Sequence, residues 1–520
     1  MNALDPIAAA NAAQTQASDP VASVFVSASA GSGKTKLLID RLLQLMLPRR
    51  VVDPATGDVR FIEGSAPGRI VCLTYTKAAA AEMAIRLQRT LGDWVTAPPA
   101  RLDDALRVLA IEPNDMTRRA ARELFVRVLD LPGGMRIGTI HAFCQSLLRR
   151  FPIEAAISPH FALMEEADAH MALGSAVEAE LARGDGGRLA VLSAQAGLEK
   201  FSSILALLQG KAQELRPVLA LPPGARRAAY RAALGAPDAT LDDLSAQACA
   251  PPDEDEVRAL LQGAVDRASA SVAPRLRAML SWLSETGPSR QAMFTQWESS
   301  LLTDKGDPRA NAGLNPKLAQ EEERLVELLS REAQRQLALR DAQCSVRLAD
   351  LAVSLLEVVE PVLARFAARK EGLGQLDYND LIARTLGLLD DAGAAWVLYK
   401  LDGGIDHLLL DEVQDTSPEQ WRIAGGLTSE FFAGAGARDE EATAPVAPRT
   451  VFAVGDYKQS IYSFQGADPA AFHTWRQRFR HRVEGASATW REPSLEVSFR
   501  STAPVLSLVD AVFANPGSAQ

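Results

Sequence analysis

Hydrophobic and polar positions follow two regimes along this chain. Near both ends, short uninterrupted apolar runs lead into amphipathic stretches: Val24 to Ser27 precedes Leu37, Leu38, Leu42, Leu43 and Met46, and Arg69 to Thr74 precedes Met83, Leu87 and Leu91. Further apolar runs are Arg136 to Ile140, His407 to Leu410 and Val451 to Val454. Runs without internal alternation fit strands buried on both faces, and the periodic stretches fit helices that cover them, so the flanks predict an α/β fold with a parallel sheet. Between 152 and 374 the pattern becomes Ala-, Leu- and Arg-rich helical periodicity, which predicts an all-helical insertion. There Leu325, Leu328 and Leu329 share a face and Glu327 sits four residues before Arg331. Val346 to Lys370 predicts another long helix, with a kink or break at Pro361. Asp53 to Asp58 reads as a surface hairpin loop and Ala433 to Pro448 as a Gly/Ala/Pro-rich loop.

With 520 residues, two or three domains are expected. No apolar run is long enough to cross a bilayer and the first residues lack the blocks of a signal peptide, so the expected location is cytoplasmic. Cys72, Cys144, Cys249 and Cys344 are scattered singly, without the close pairs of zinc sites or disulfide frameworks, and read as buried free thiols. A net charge of -10 argues against holding DNA by overall charge. It leaves room for a local basic groove.

Candidate chemistry begins at Ala28-Ser29-Ala30-Gly31-Ser32-Gly33-Lys34-Thr35, which fits G-x-x-x-x-G-K-[ST] with alanine in place of the first glycine. Gly31 and Gly33 let backbone N–H groups approach phosphate oxygens, and the helix that follows points its N-terminus at the anion. Lys34 suits the β- and γ-phosphates, and the Thr35 hydroxyl suits Mg²⁺. The alternative is a chance Gly-rich turn, against which the strand-loop-helix context argues. A triphosphatase also needs carboxylates at the end of a neighbouring strand. Leu408-Leu409-Leu410-Asp411-Glu412 supplies them, with Asp411 the expected Mg²⁺ ligand and Glu412 the expected general base. The competing reading is an exposed acidic loop, with Asp415 capping a helix that begins near Ser417 and Pro418.

These segments, together with Thr74-Tyr75-Thr76-Lys77-Ala78-Ala79-Ala80, Thr139-Ile140-His141-Ala142-Phe143 and Val454-Gly455-Asp456-Tyr457-Lys458-Gln459-Ser460-Ile461-Tyr462-Ser463-Phe464-Gln465-Gly466-Ala467, resemble the ordered motifs of UvrD-like superfamily 1 helicases. Gln14 before Ala17-Ser18-Asp19-Pro20, the variant loop, Lys77 to Met83 and the Phe464-Gln465-Gly466 ending are most similar to the AddA branch, helicase-nuclease subunits that work with AddB in double-strand-break repair. The resemblance covers both flanks and is weak across the helical middle.

The resemblance implies a RecA-like P-loop domain formed by 1–151 and 375–492, the insertion at 152–374, and the start of a second RecA-like domain at 493–520. It implies ATP and Mg²⁺ as cofactors. Gln14 would read the adenine edge, and Lys36 stands where many relatives carry an adenine-stacking arginine. Gln459 would sense the γ-phosphate, Arg500 would stabilise transition-state charge, and Phe499 would lie beside the base, with Ser498 replacing the usual asparagine. Lys458 and Phe499 also admit a bland reading, as a solvated charge and a core aromatic.

A motor on single strands needs aromatic faces for bases and donors for phosphates. Tyr75, Tyr462 and Phe464 are therefore assigned to bases, and Thr74, Thr76 and His141 to the DNA backbone; core packing is the alternative for the aromatics, and the expected role of Phe143. His141 is too isolated to be a metal ligand. The implied partners are single-stranded and duplex-end DNA and an AddB-like protein, with 3′ to 5′ unwinding. The remaining motifs of the second motor domain and the nuclease fall outside these residues, so the expectation is a chain that binds nucleotide and translocates poorly. Two other readings compete. One is a catalytically incomplete nucleotide-binding scaffold for a partner protein, and the other is an ATPase or kinase of another P-loop branch.

Overall fold

The computed structural model describes residues 6–29, 31–52, 59–183, 198–390, 396–397, 400–401, 404–432, 447–459 and 468–514. The chain forms two compact units, Met1–Glu166 with Glu371–Gln520, and Ala167–Lys370.

The first unit is built on β1 (Ser23–Ala28), the antiparallel pair β2 (Arg49–Val52) and β3 (Val59–Ile62), then β4 (Ile70–Thr74), β5 (Arg136–Thr139), the short parallel pair β6 (Ala162–Leu163) and β7 (Gln375–Leu376), and finally β8 (His407–Asp411), β9 (Thr450–Gly455), β10 (Trp490–Arg491) and β11 (Ser494–Leu495). The main sheet has the order β10-β1-β9-β8-β4-β5, with β11 also pairing with β1, and every pairing in it is parallel. Alternate residues of each central strand serve opposite cores. Val24, Val26, Cys72, Leu409, Phe452 and Val454 join one core, and Phe25, Val71, Leu73, Leu408, Leu410, Val451 and Ala453 the other. Both faces are covered, which is why these strands read as unbroken apolar runs. The antiparallel β2 and β3 flank 53–58, so the expected loop itself lies outside the described residues, as does most of 433–448.

The helices of the first half are α1 (Pro6–Ser18), α2 (Lys34–Met46), α3 (Lys77–Thr96), α4 (Pro99–Val108), α5 (Asp115–Leu129) and α6 (Ile140–Arg150). The helix α2 buries Leu37, Leu38, Leu42, Leu43 and Leu45, each contributing about 1.5–3 kcal/mol. Arg41 on the same helix is fully buried and donates to Ala22 O at 2.7 Å and Thr450 Oγ1 at 2.9 Å; burial pushes its pKa down to about 9. Those bonds tie the second half of α2 to the amino ends of β1 and β9.

The described part of the second unit is helical apart from an isolated bridge, Leu302 to Pro308. Its core stacks Trp282 on Trp297 at 4.5 Å and gathers Leu325, Leu328 and Leu329. The two helices expected around residues 321–370 are one helix, Glu323–Gly372 of 50 residues, which continues through Pro361. Proline removes one backbone hydrogen bond. Burial of Val359, Val362 and Phe366 around it supports the helix past that loss. The four cysteines are free, as expected, but only Cys72 and Cys144 are buried; Cys249 is half-buried and Cys344 exposed. Strand pairing with β1 continues to Leu495, so the chain is still in the first sheet just beyond residue 493.

Candidate nucleotide site at the carboxyl edge of the sheet

Because the sheet is parallel throughout, the segments that follow β1, β4, β5, β8, β9 and β11 emerge along one edge. Open parallel sheets bind ligands at that edge. Several of the described residues singled out from the sequence, Lys34, Asp411, Glu412, Phe499 and Arg500 among them, are therefore brought to that edge, although they are drawn from distant parts of the chain.

The loop after β1 turns through Gly31 (φ 75°) and Gly33 (φ 87°), both left-handed. A Cβ at Gly31 would fall 2.7 Å from Ser498 Oγ and from Arg500 Cβ, and one at Gly33 would fall 3.0 Å from Gln14 Nε2. Both positions thus require glycine for conformation and for space. Ala28 is different: it is the last residue of β1, and its side chain is buried in the core. The methyl group is accommodated there, which explains why alanine can replace the usual first glycine. Ser29 N donates to Leu495 O at 3.0 Å and Ser32 N to Ser29 O at 3.2 Å. Ser32 is buried with its hydroxyl unpartnered, while Ala30 lies outside the described residues.

Lys34 and Thr35 open α2, where backbone N–H groups have no helical acceptors. Gln14 donates to Ser32 O at 3.2 Å, and Phe499 N donates to Gly31 O at 2.9 Å. The Phe499 ring edge lies 4.0 Å from the Cβ position of Gly33 and is 54% exposed, so it is not a core aromatic. Gln14, Phe499 and the exposed Arg500 are thus brought to the loop. Lys36 is not part of that cluster: its ammonium donates to Asp40 Oδ2 at 2.5 Å, one turn along α2.

Lys34 Nζ meets Glu412 Oε2 at 2.7 Å. The acidic strand β8 is not the immediate neighbour of β1 as expected, since β9 lies between them. The long lysine side chain bridges that gap, because adjacent strands are only about 4.8 Å apart. Glu412 has a left-handed backbone (φ 50°), uncommon for a residue with a side chain. Asp415 does not cap the next helix. Ser417 caps Pro418–Leu427 through a reciprocal pair with Gln420, and the buried Asp415 accepts from Gln414 Nε2 at 3.2 Å.

Asp411 is held in a different environment. Burial raises its pKa to about 7, and the neighbouring Glu412 charge adds to the rise; Lys34, the Glu412 backbone N–H and the Thr74 hydroxyl act the other way. Its Oδ1 and the Thr74 Oγ1 are buried without a well-formed hydrogen bond. A buried carboxylate with a spare oxygen on the same edge as the Thr35 hydroxyl is a donor set that fits a small hard cation. Among the described residues no group of three His, Cys, Asp or Glu side chains is arranged to hold a metal ion by itself, so the other ligands of such a cation would be phosphate and water.

This environment also predicts a stability effect. A carboxyl with a folded pKa above its unfolded value stabilises the fold most below the unfolded pKa, and that contribution is lost as pH rises through about 7. Asp411→Asn is expected to melt about 2–5 °C above the unsubstituted chain at pH 8 and to lose most of that advantage at pH 5, read by thermal unfolding.

Further along the edge, Thr76 caps α3 by accepting from Ala79 N at 3.1 Å, and Thr139 caps α6 by accepting from Ala142 N at 3.2 Å. Tyr75 is half-buried. The half-buried His141 ring packs edge-on against Tyr378 with centroids 5.1 Å apart, and burial lowers its pKa. Phe143 packs against the core, as expected. Tyr462 and Phe464 lie outside the described residues. Gln459 is exposed and donates to Asp456 Oδ2 at 2.7 Å.

A family model for the UvrD/REP helicase N-terminal domain matches residues 10–480. The chain belongs to the UvrD/REP helicase family. Over 531 residues it is 25% identical to the AddA polypeptide of the ATP-dependent helicase/nuclease of Exiguobacterium sibiricum, covering 94% of this chain and 38% of that protein. It is 26% identical over 541 residues to the protein of that name from Pelotomaculum thermopropionicum, covering 94% and 37%, and 24% identical over 533 residues to the one from Listeria welshimeri, covering 94% and 38%. The chain thus spans well under half the length of these relatives. Within the UvrD/REP family, the fold is an α/β RecA-like domain with helical insertions. Among described residues in contact with the site, sequence reasoning gave no role to Gln414 and Asp456. A polar Gln414 beside the buried Val413, in a short turn between strand and helix, was the available signal.

Proposed function

We propose that this chain carries the nucleotide site of an ATP-dependent DNA helicase or translocase of the AddA type, working 3′ to 5′ in double-strand-break repair with an AddB-like partner. The observation that carries this reading is the 2.7 Å contact between Lys34 and Glu412, which joins the phosphate loop to the acidic strand across β9. A scaffold that does not turn over nucleotide has no chemical need for that pairing.

In this reading the loop amides and Lys34 bind the β- and γ-phosphates, with Gln14 on the adenine edge and Phe499 beside the base. Thr35 and Asp411 would hold Mg²⁺, which when bound supplies charge neutralisation at the phosphates. Phosphate entering the loop draws Lys34 away from Glu412. The freed carboxylate then takes the proton of the attacking water. Arg500 offsets the charge that develops on the transferred group, and Gln459 reports phosphate occupancy. Tyr75, Thr76, His141, Tyr462 and Phe464 form the strand track, whereas Thr74, expected there too, is buried beside Asp411 and does not reach a strand. Residues after Leu495, the last position paired with β1, begin a second motor domain, which would bury the apolar surface exposed on the helix Ala503–Phe513.

Direction is tested on single strands carrying streptavidin at one end, using the longest natural polypeptide that contains this segment. ATP-dependent displacement from the 5′ end is expected. Displacement only from the 3′ end refutes the polarity.

A further inference from the structure

The side chain of Gln414 is 3% exposed and satisfied on both sides. Its Nε2 donates to Glu412 Oε2 at 2.7 Å and to Asp415 Oδ2 at 3.2 Å, and its Oε1 accepts from Asp456 N at 2.9 Å. The amide orientation is fixed by chemistry: a backbone N–H needs the carbonyl oxygen, and ionised carboxylates need the NH₂. Asp456 in turn accepts from Lys458 N at 3.1 Å and from Gln459 Nε2 at 2.7 Å. One buried amide therefore lies between the carboxylate that touches Lys34 and the turn that carries Gln459.

Two further features hold that amide in place. A Cβ on Gly455 would fall 2.5 Å from Gln414 Oε1 and 2.7 Å from Val413 Cγ2, so the bare backbone after β9 makes the space in which the amide sits. Glu412 keeps its left-handed backbone between an ion pair with Lys34 on one side and the Gln414 amide on the other. A residue in such a conformation persists when its surroundings over-determine it. When a phosphate draws Lys34 away, the Gln414 amide is the remaining described hydrogen-bond donor to that carboxylate.

We propose that Gln414 is a positioning residue that holds Glu412 once Lys34 has moved onto phosphate and transmits that change, through Asp456, to the turn bearing Gln459. The proposal rests on the nucleotide site assigned above. Glutamine is suited to this place because it donates to one partner while accepting from the other. Methionine has similar volume and does neither. Glutamate keeps the acceptor but sets a third carboxylate against Glu412 and Asp415.

The test uses this chain, MgATPγS as the probe, and hydrogen exchange of the peptide spanning 455–459. In the unsubstituted chain, saturating MgATPγS is expected to change exchange in that peptide. Gln414→Met is expected to bind MgATPγS within about threefold of the unsubstituted affinity, to exchange roughly fivefold faster at Asp456 without nucleotide, and to lose the nucleotide response. Gly455→Ala, which displaces the amide from the opposite strand, is expected to act in the same way and serves if the methionine variant does not fold. A nucleotide response that survives in a folded variant overturns the relay alone. Equal losses of affinity and thermal stability, with the response intact per bound nucleotide, also overturn it by showing a merely structural role. No MgATPγS binding by the unsubstituted chain overturns the nucleotide site and the relay together.

Discussion

Lys34→Ala is expected to weaken MgATP binding by about 100-fold, roughly 2.7 kcal/mol, measured by equilibrium titration. The ammonium group stands at the start of α2, only 14% exposed, where the helix N-terminus already favours negative charge. A hydrogen bond to a charged group is worth about 1.5–3 kcal/mol there, and the alanine has none to offer. The same change removes a positive charge that lowers the Asp411 pKa, so that carboxyl holds its proton to higher pH. The binding loss should therefore be greatest near or below pH 7 and partly relieved at pH 8.5, where Asp411 is ionised. A loss of less than about threefold would place the phosphates somewhere other than this loop.

Glu412→Gln separates binding from hydrolysis. The neutral amide cannot take a proton from water, so turnover in the longest natural polypeptide is expected to fall by about 10²–10⁴-fold. Affinity for MgATP should rise severalfold at the same time. In the structure Lys34 is paired with Glu412, and any phosphate must first break that pair; glutamine competes for the lysine much less strongly. The test is single-turnover hydrolysis beside equilibrium binding. A parallel loss of both would assign Glu412 a structural role.

The strands that position this site were legible because each is buried on both faces. Val24 to Ser27, Leu408 to Leu410 and Val451 to Val454 carry no alternation for that reason, and their C-terminal ends coincide with the candidate chemistry. The turn through Gly31 and Gly33 into the helix that Lys34 opens was legible because it is local in sequence. The lateral order of the strands was not. That β9 separates β1 from β8 is a property of pairing between residues hundreds of positions apart, and no local pattern encodes it.

Other gaps have the same kind of cause. Gln414 and Asp456 are joined across 42 positions, and the space for their contact depends on the missing Cβ of Gly455. Lys36 pairs with Asp40 because a helix sets residues four apart on one face, a local contact that matching Lys36 to the arginine of relatives left out. Pro361 marked a break that packing around it does not permit, and Cys344 is exposed because its burial is decided by which face of a long helix it occupies.

The proposed function requires an ATP site at the carboxyl edge of the sheet that is coupled to DNA. The most direct test is ATP hydrolysis with and without single-stranded DNA, in the longest natural polypeptide containing this segment, beside its Glu412→Gln variant. Hydrolysis that rises severalfold with DNA and disappears in the variant is the predicted result. Hydrolysis indifferent to DNA, or surviving in the variant, would contradict it.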